Sequence, residues 1–271
     1  MSQGQKARAA VMAGAAAEGV QPAALMELSE LAAACGQCLR CALAESRRQV
    51  VVGRGNPEAR LLLIGEAPGA EEDASGRPFV GRAGNLLEQL LAEAGLDSDR
   101  DLYIANVIKC RPPGNRKPSR AEIAACLPWL QQQIALQRPQ LIGLLGATAL
   151  EALLGFKGGI TKLRGQWLEL VEGRPQPTSA PFNPDQARRQ HPTATSTTRS
   201  RTRVQEHSRL LSLPSNLQHI DLQNIVLMPL FHPSYLLRNP SSQEGTPKWH
   251  TLQDLRQIRR RLDDLAAGHQ G

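Results

Sequence analysis

Three polar motifs each follow an apolar run, and together they carry an acid, an amide and an imidazole. Leu61–Ile64 leads into Gly65-Glu66-Ala67-Pro68-Gly69. Leu102–Ile108 contains Asn106 and leads into Lys109-Cys110-Arg111-Pro112-Pro113. Ile225–Phe231 leads into His232-Pro233-Ser234-Tyr235-Leu236-Leu237-Arg238. Ligands of open parallel α/β sheets sit outside the carboxyl ends of the strands. If these runs are neighbouring strands, Glu66, Asn106 and His232 meet in one crevice.

Cysteines form a second constellation: Cys35, Cys38, Cys41, Cys110 and Cys126. An odd count argues against a disulfide framework. Cys38 and Cys41 are a C-x-x-C pair, close enough to chelate one metal centre, and Cys110 and Cys126 would complete four thiolates. Four is the count of an all-cysteine zinc site or a [4Fe–4S] cluster. Spacing alone leaves two alternatives open. Cys35 and Cys38 are spaced identically, and the distal two could be ordinary buried thiols.

The elements that position these residues follow from periodicity. Residues 59–65, 102–108, Gln140–Leu145, Gln166–Val171 and Ile225–Leu230 read as strands. Gly81–Ala94 reads as a helix with Leu86, Leu87, Leu90 and Leu91 on one face and Gly95 as its stop. Ser119-Arg120-Ala121-Glu122 is a capping box that opens another helix, which Pro128 should kink or restart. Ala147–Leu154 is a short helix. The last helix carries Trp249, Leu252, Leu255, Ile258, Leu262 and Leu265 at spacings of three and four. Alternating strands and helices predict an α/β fold, a parallel sheet with helices on both faces.

Residues 1–34 read as an extension, helical near 23–34. Between about 173 and 223 periodicity gives way to Pro, Ser, Thr, Gln and Arg, the composition of a mostly disordered insertion joining two strands. The domain proper then spans 35–267. The net charge of +7 favours an anionic partner such as nucleic acid, although Arg188, Arg189, Arg199, Arg201, Arg203 and Arg209 of the insertion supply much of it. No apolar run approaches the ~20 residues of a membrane helix. Lys6 and Arg8 before Ala9–Ala17 imitate a signal peptide, but the Ala/Gly composition and the Leu25, Leu28, Leu31 stripe favour a cytoplasmic protein.

In combination the motifs resemble family 4 of the uracil-DNA glycosylases, the iron–sulfur type. The resemblance spans roughly 36–172 and 224–262. It rests on Cys38-x-x-Cys41, Val52-Gly53-Arg54-Gly55-Asn56-Pro57, Gly65-Glu66-Ala67-Pro68-Gly69 and Gly76-Arg77-Pro78-Phe79-Val80-Gly81-Arg82-Ala83-Gly84. It continues through Asn106-Val107-Ile108-Lys109-Cys110-Arg111-Pro112-Pro113 and His232-Pro233-Ser234-Tyr235-Leu236-Leu237-Arg238 to the closing helix.

The resemblance implies a three-layer α/β/α fold around a central, mostly parallel four-stranded sheet. It implies a DNA repair hydrolase that cleaves the bond between uracil and deoxyribose, acting as a monomer on DNA containing uracil, with no obligate protein partner. It assigns a structural [4Fe–4S] cluster to Cys38, Cys41, Cys110 and Cys126, leaving Cys35 free. Phe79 would stack on the extruded base, Asn106 would read the uracil edge and His232 would donate to uracil O2 as charge develops there. Glu66 would orient the attacking water and stabilise the sugar cation; other uracil glycosylases carry an Asp one place later, where this chain has Ala67. Backbone amides near Ala67 and Gly69 would help bind uracil. Leu236 or Leu237 would wedge into the duplex, and Lys109, Arg111, Arg116, Lys117 and Arg238 are candidate phosphate contacts. Two alternatives stand beside this reading. One is a sister enzyme that traps the abasic sugar covalently, which has Gln at the place of Ala67 and a His-ended basic loop absent here. The other is a four-cysteine module that only binds nucleic acid.

Overall fold

Leu61 and Leu63 pack on one face of a sheet and Leu62 and Ile64 on the other, as the two-residue period of a strand requires. All four are fully buried, because helices cover both faces. A computed structural model describes residues 27–156, 159–171, 174–177 and 225–268. The strands are β1 (Arg54–Gly55), β2 (Leu61–Gly65), β3 (Leu102–Asn106), β4 (Leu141–Leu145), β5 (Leu168–Val171), β6 (Arg174–Pro177) and β7 (Val226–Leu230). The helices are α1 (Leu28–Gly36), α2 (Leu43–Ser46), α3 (Ala70–Ser75), α4 (Arg82–Glu93), α5 (Arg120–Gln137), α6 (Ala147–Leu154), α7 (Ile160–Leu163), α8 (Pro233–Arg238) and α9 (Pro247–Ala267).

The sheet order is β1-β3-β2-β4-β7-β5-β6. Its centre, β3-β2-β4-β7, is parallel and has the four strands expected. The sheet does not stop there. β1 adds antiparallel to β3, while β5 and β6 extend the other edge antiparallel. β5 is the strand read from Gln166–Val171; nothing in the sequence pointed to β1 and β6, which are short edge strands with little apolar signal. Arg174–Pro177, at the start of the expected insertion, is a strand paired with β5. The remainder of the insertion and the extension up to residue 26 lie outside the described residues.

One face packs against α1, α5 and α6, the other against α4, α8 and α9. Leu86, Leu87, Leu90 and Leu91 of α4 are all buried, each worth roughly 2 kcal/mol relative to exposure. The capping box at Ser119 is present: its hydroxyl accepts from Glu122 N and Glu122 returns to Ser119 N. The restart at Pro128 does not occur, because α5 runs unbroken from Arg120 to Gln137. Cys126, Leu127, Trp129 and Leu130 are buried on both sides of the proline, so packing outweighs the lost backbone bond.

Chain order explains where a crevice must open. From β2 the chain moves to β3 on one side, then returns across to β4 on the other. That reversal is a topological switch point, where the carboxyl ends of the strands diverge.

Candidate active site and thiol pocket

A crevice of about 370 Å³ opens at that switch point, within the range of small-molecule sites. Glu66, Ala67 and Gly69 after β2, Phe79 before α4, Asn106 at the end of β3 and His232 after β7 all line it. Every residue expected to hold or attack a base therefore stands in one place.

Asn106 is 2% exposed, and its side-chain carbonyl oxygen has no hydrogen-bond partner. Such an acceptor costs about 1–3 kcal/mol, so a donor from outside would find a waiting partner. Gly65 makes room for it. A Cβ there would lie 2.5 Å from both Asn106 Oδ1 and Phe79 Cζ.

Phe79 is buried with a left-handed backbone, φ 54°, which costs a non-glycine residue about 1 kcal/mol or more. Its turn is fastened by Glu72, whose Oε1 accepts from Val80 N at 2.9 Å and Gly81 N at 2.8 Å. The ring faces His232 with centroids 6.0 Å apart.

His232 caps α8. Its Nδ1 accepts from Ser234 N at 3.1 Å, which leaves the proton of a neutral ring on Nε2. Burial, reinforced by the Arg238 charge, pushes the imidazole pKa down to about 4. The ring is therefore a neutral donor at pH 7. Gly146, φ 92°, keeps the adjacent turn clear, since a Cβ there would come within 2.9 Å of His232 Cβ.

Glu66 carries a restraint that sequence reasoning missed. The Thr148 hydroxyl, buried on the first turn of α6, donates to Glu66 Oε2. The signal was available: Gly146-Ala147-Thr148 follows an apolar strand, as the other site motifs do. Glu72 was also missed, although it stands three residues into a helix, where carboxylates reach back to backbone amides.

Three expectations need correction. The Gly69 amide donates to Glu72 Oε2 at 3.0 Å, so Gly69 supplies wall rather than a donor to a bound base. Lys109 cannot touch a phosphate. It is 0% exposed, and its amine donates to Asn106 O at 2.7 Å and to Gln133 Oε1. Leu236 cannot wedge into DNA, because it is 0% exposed within the α4–α8–α9 layer. Leu237 is half-buried, and Arg238 is exposed at the crevice mouth. Arg111 is half-buried and donates to Asn115 Oδ1 at 2.7 Å. Arg116 lines the crevice in a two-point ion pair that holds the Glu122 carboxyl at about 2.

The cysteines gather in a separate pocket. Cys38 and Cys41, on the turn after α1, meet Cys110 beyond β3 and Cys126 on α5, and Cys35 joins them. None is in a disulfide. Three sulfurs accept N–H bonds: Cys38 from Trp129 Nε1 at 3.3 Å, Cys110 from Arg47 Nη1 at 3.5 Å and Cys126 from Lys109 N at 3.2 Å. Neutral thiols accept weakly, so these donors suit thiolate ligands. Burial pushes Cys126 up to about 11 and Cys35 to about 12, with the Lys109 charge pulling both back. Among the described residues no three His, Cys, Asp or Glu side chains converge as a single metal ion requires. No described helix is long and apolar enough to cross a membrane.

Comparisons with known proteins bear on the family to which the chain belongs. Residues 52–256 match the model of the Uracil DNA glycosylase superfamily. The chain is 50% identical over 139 residues to a type-4 uracil-DNA glycosylase of Thermotoga maritima, covering 51% of this chain and 72% of that one. It is 46% identical over 133 residues to a type-4 uracil-DNA glycosylase of Pyrobaculum aerophilum, covering 48% and 67%. A type-5 uracil-DNA glycosylase of Thermus thermophilus is 41% identical over 122 residues, covering 40% and 55%. The family match and this kinship lead to one conclusion: the chain belongs to the uracil DNA glycosylase superfamily, among its type-4 members.

Proposed function

We propose that the protein hydrolyses the bond between uracil N1 and deoxyribose C1′ in DNA, releasing uracil and leaving an abasic site. The observation that carries this reading is the unpartnered, buried Asn106 oxygen, set in a crevice with Phe79 and His232. Uracil presents an N3–H donor to such an acceptor. Cytosine presents a bare N3 lone pair there and is repelled, a large discrimination because the site's polar group is left unpaired.

The base leaves the stack at a cost of a few kcal/mol, least where it is mispaired. Phe79 stacks on it and Asn106 pairs with its edge. As the C1′–N1 bond breaks, electrons pass to the uracil ring. The His232 Nε2–H donates to O2, where the charge develops, and needs no proton transfer to do so. Glu66 stabilises the positive sugar by its own charge and orients water toward C1′, accepting its proton as the C1′–O bond forms; that proton passes on through solvent to the departed uracil anion. Arg238 and Arg111 serve the flanking phosphates.

Cys38, Cys41, Cys110 and Cys126 hold a [4Fe–4S] cluster, supported by the shared pocket and the N–H donors on three of the sulfurs. Bound there, it supplies a covalent clamp rather than reaction chemistry. It would tie the α1–α2 turn to the end of β3 and to α5.

The test is release of free uracil from labelled U·G, U·A and single-stranded oligonucleotides. Repeated turnover is expected. A gel-stable protein–DNA adduct, or binding without release, would overturn the reading.

A further inference from the structure

The carboxyl end of β4 lies between those of β2 and β7, yet none of the base-reading residues comes from it. What it presents to the site is Thr148. This residue is 4% exposed, and its hydroxyl reaches a carboxylate 82 positions away in sequence. A threonine in the first turn of a helix ordinarily turns its hydroxyl to local backbone. Here it donates to Glu66 Oε2, and we infer that Thr148 is the positioning residue that holds the Glu66 carboxylate for water attack.

Glu66 is partly exposed on the crevice wall, with several rotatable bonds. Unrestrained, its two oxygens would interchange and the attack direction would blur. Fixing Oε2 to Thr148 leaves Oε1 as the oxygen available to water. That converts a mobile base into an oriented one, the arrangement that intramolecular catalysis requires. The same turn sets the other partner, because Gly146 abuts His232. One three-residue turn thus registers the water-orienting group against the uracil-stabilising group. Thr148 also stands near the positive end of α6, which favours a carboxylate beside it.

This inference rests on the role proposed for Glu66, and the test separates the two. Single-turnover rates and KM are measured for Thr148→Val, Thr148→Ser, Glu66→Gln and the Glu66→Gln/Thr148→Val double variant. Valine keeps the shape and loses the hydroxyl. It should lower the chemical rate about 10- to 100-fold, as loss of a hydrogen bond to a charged group does, with KM changed less than about threefold. Serine keeps the donor and should stay within about threefold of the parent. In the Glu66→Gln background, Thr148→Val should cost less than about threefold, since nothing remains to be positioned. Undiminished rates in Thr148→Val, equal losses for serine and valine, or a full additional loss in the double variant would each overturn the inference. Undiminished rates in Glu66→Gln would instead overturn the role of Glu66 on which it stands.

Discussion

The buried Lys109 amine donates to the main-chain carbonyl of Asn106 at 2.7 Å, and the Lys109 backbone N–H donates to Cys126 Sγ at 3.2 Å. A single residue thus touches both the crevice segment that carries Asn106 and the thiol pocket. Burial lowers the amine to about 8, while the cysteines around it favour its charge.

Lys109→Met should therefore behave as a core substitution. It strands the Asn106 carbonyl and Gln133 Oε1, and should destabilise the fold by about 2 kcal/mol or more in denaturant titrations. The salt dependence of DNA binding should not change. Arg238→Ala, at the exposed crevice mouth, should instead reduce the slope of log K against log salt by about 1. A reduced slope in the lysine variant would place its amine on DNA.

Asn106→Ala should separate stability from function. The variant removes an acceptor that is buried without a partner, so its melting temperature should equal or exceed the parent's. Uracil release should fall by about a hundredfold or more, since the group that reads N3–H is gone. A variant that melts lower and keeps its turnover would reverse the assignment.

The parallel core was legible because Leu61–Ile64 and Leu141–Leu145 are unbroken apolar runs, which buried strands produce. Convergence of Glu66, Asn106 and His232 followed from where such strands end. What escaped notice depended on three-dimensional facing. Leu236 and Leu237 are identical in type, and only the packing of α8 decides which is buried. Lys109 has the sequence profile of a surface cation, and its burial is explained by the Asn106 carbonyl three residues back and by Gln133 on α5. Strands β1 and β6 are too short, and β6 too rich in proline, to register as strands.

The thiol pocket makes a prediction that needs no activity. Purified protein should be brown with broad visible absorbance, as a zinc protein would not be. Cys110→Ser and Cys126→Ser should lose the colour and melt lower, because a cluster held by these thiolates would clamp the end of β3 to α5. Cys35→Ser should keep both. Its sulfur lines the pocket, but Cys35 lies within α1, whereas Cys38 and Cys41 stand together on the turn that follows it. Loss of colour in Cys35→Ser alone would move the ligand set one C-x-x-C pair upstream.

The stability of the fold depends on pH through His232, with a sign set by its burial. His232 titrates at about 4 in the folded chain and near 6.5 unfolded. Above pH 6.5 both states hold it neutral and the residue imposes no pH dependence. Between about 6.5 and 4 the unfolded chain takes up the proton and the folded chain resists it, so stability falls as pH falls. The loss approaches about 3 kcal/mol below pH 4, on the order of 1.4 kcal/mol per unit of displacement. His232→Gln should flatten that part of the unfolding free energy between pH 7 and 4. Catalysis gives the companion measurement. A neutral Nε2–H donor predicts that kcat/KM, corrected for other groups, stays level from pH 6 to 8. A decline across that interval, absent in His232→Gln, would mean that the protonated ring does the work and that its burial does not hold it neutral.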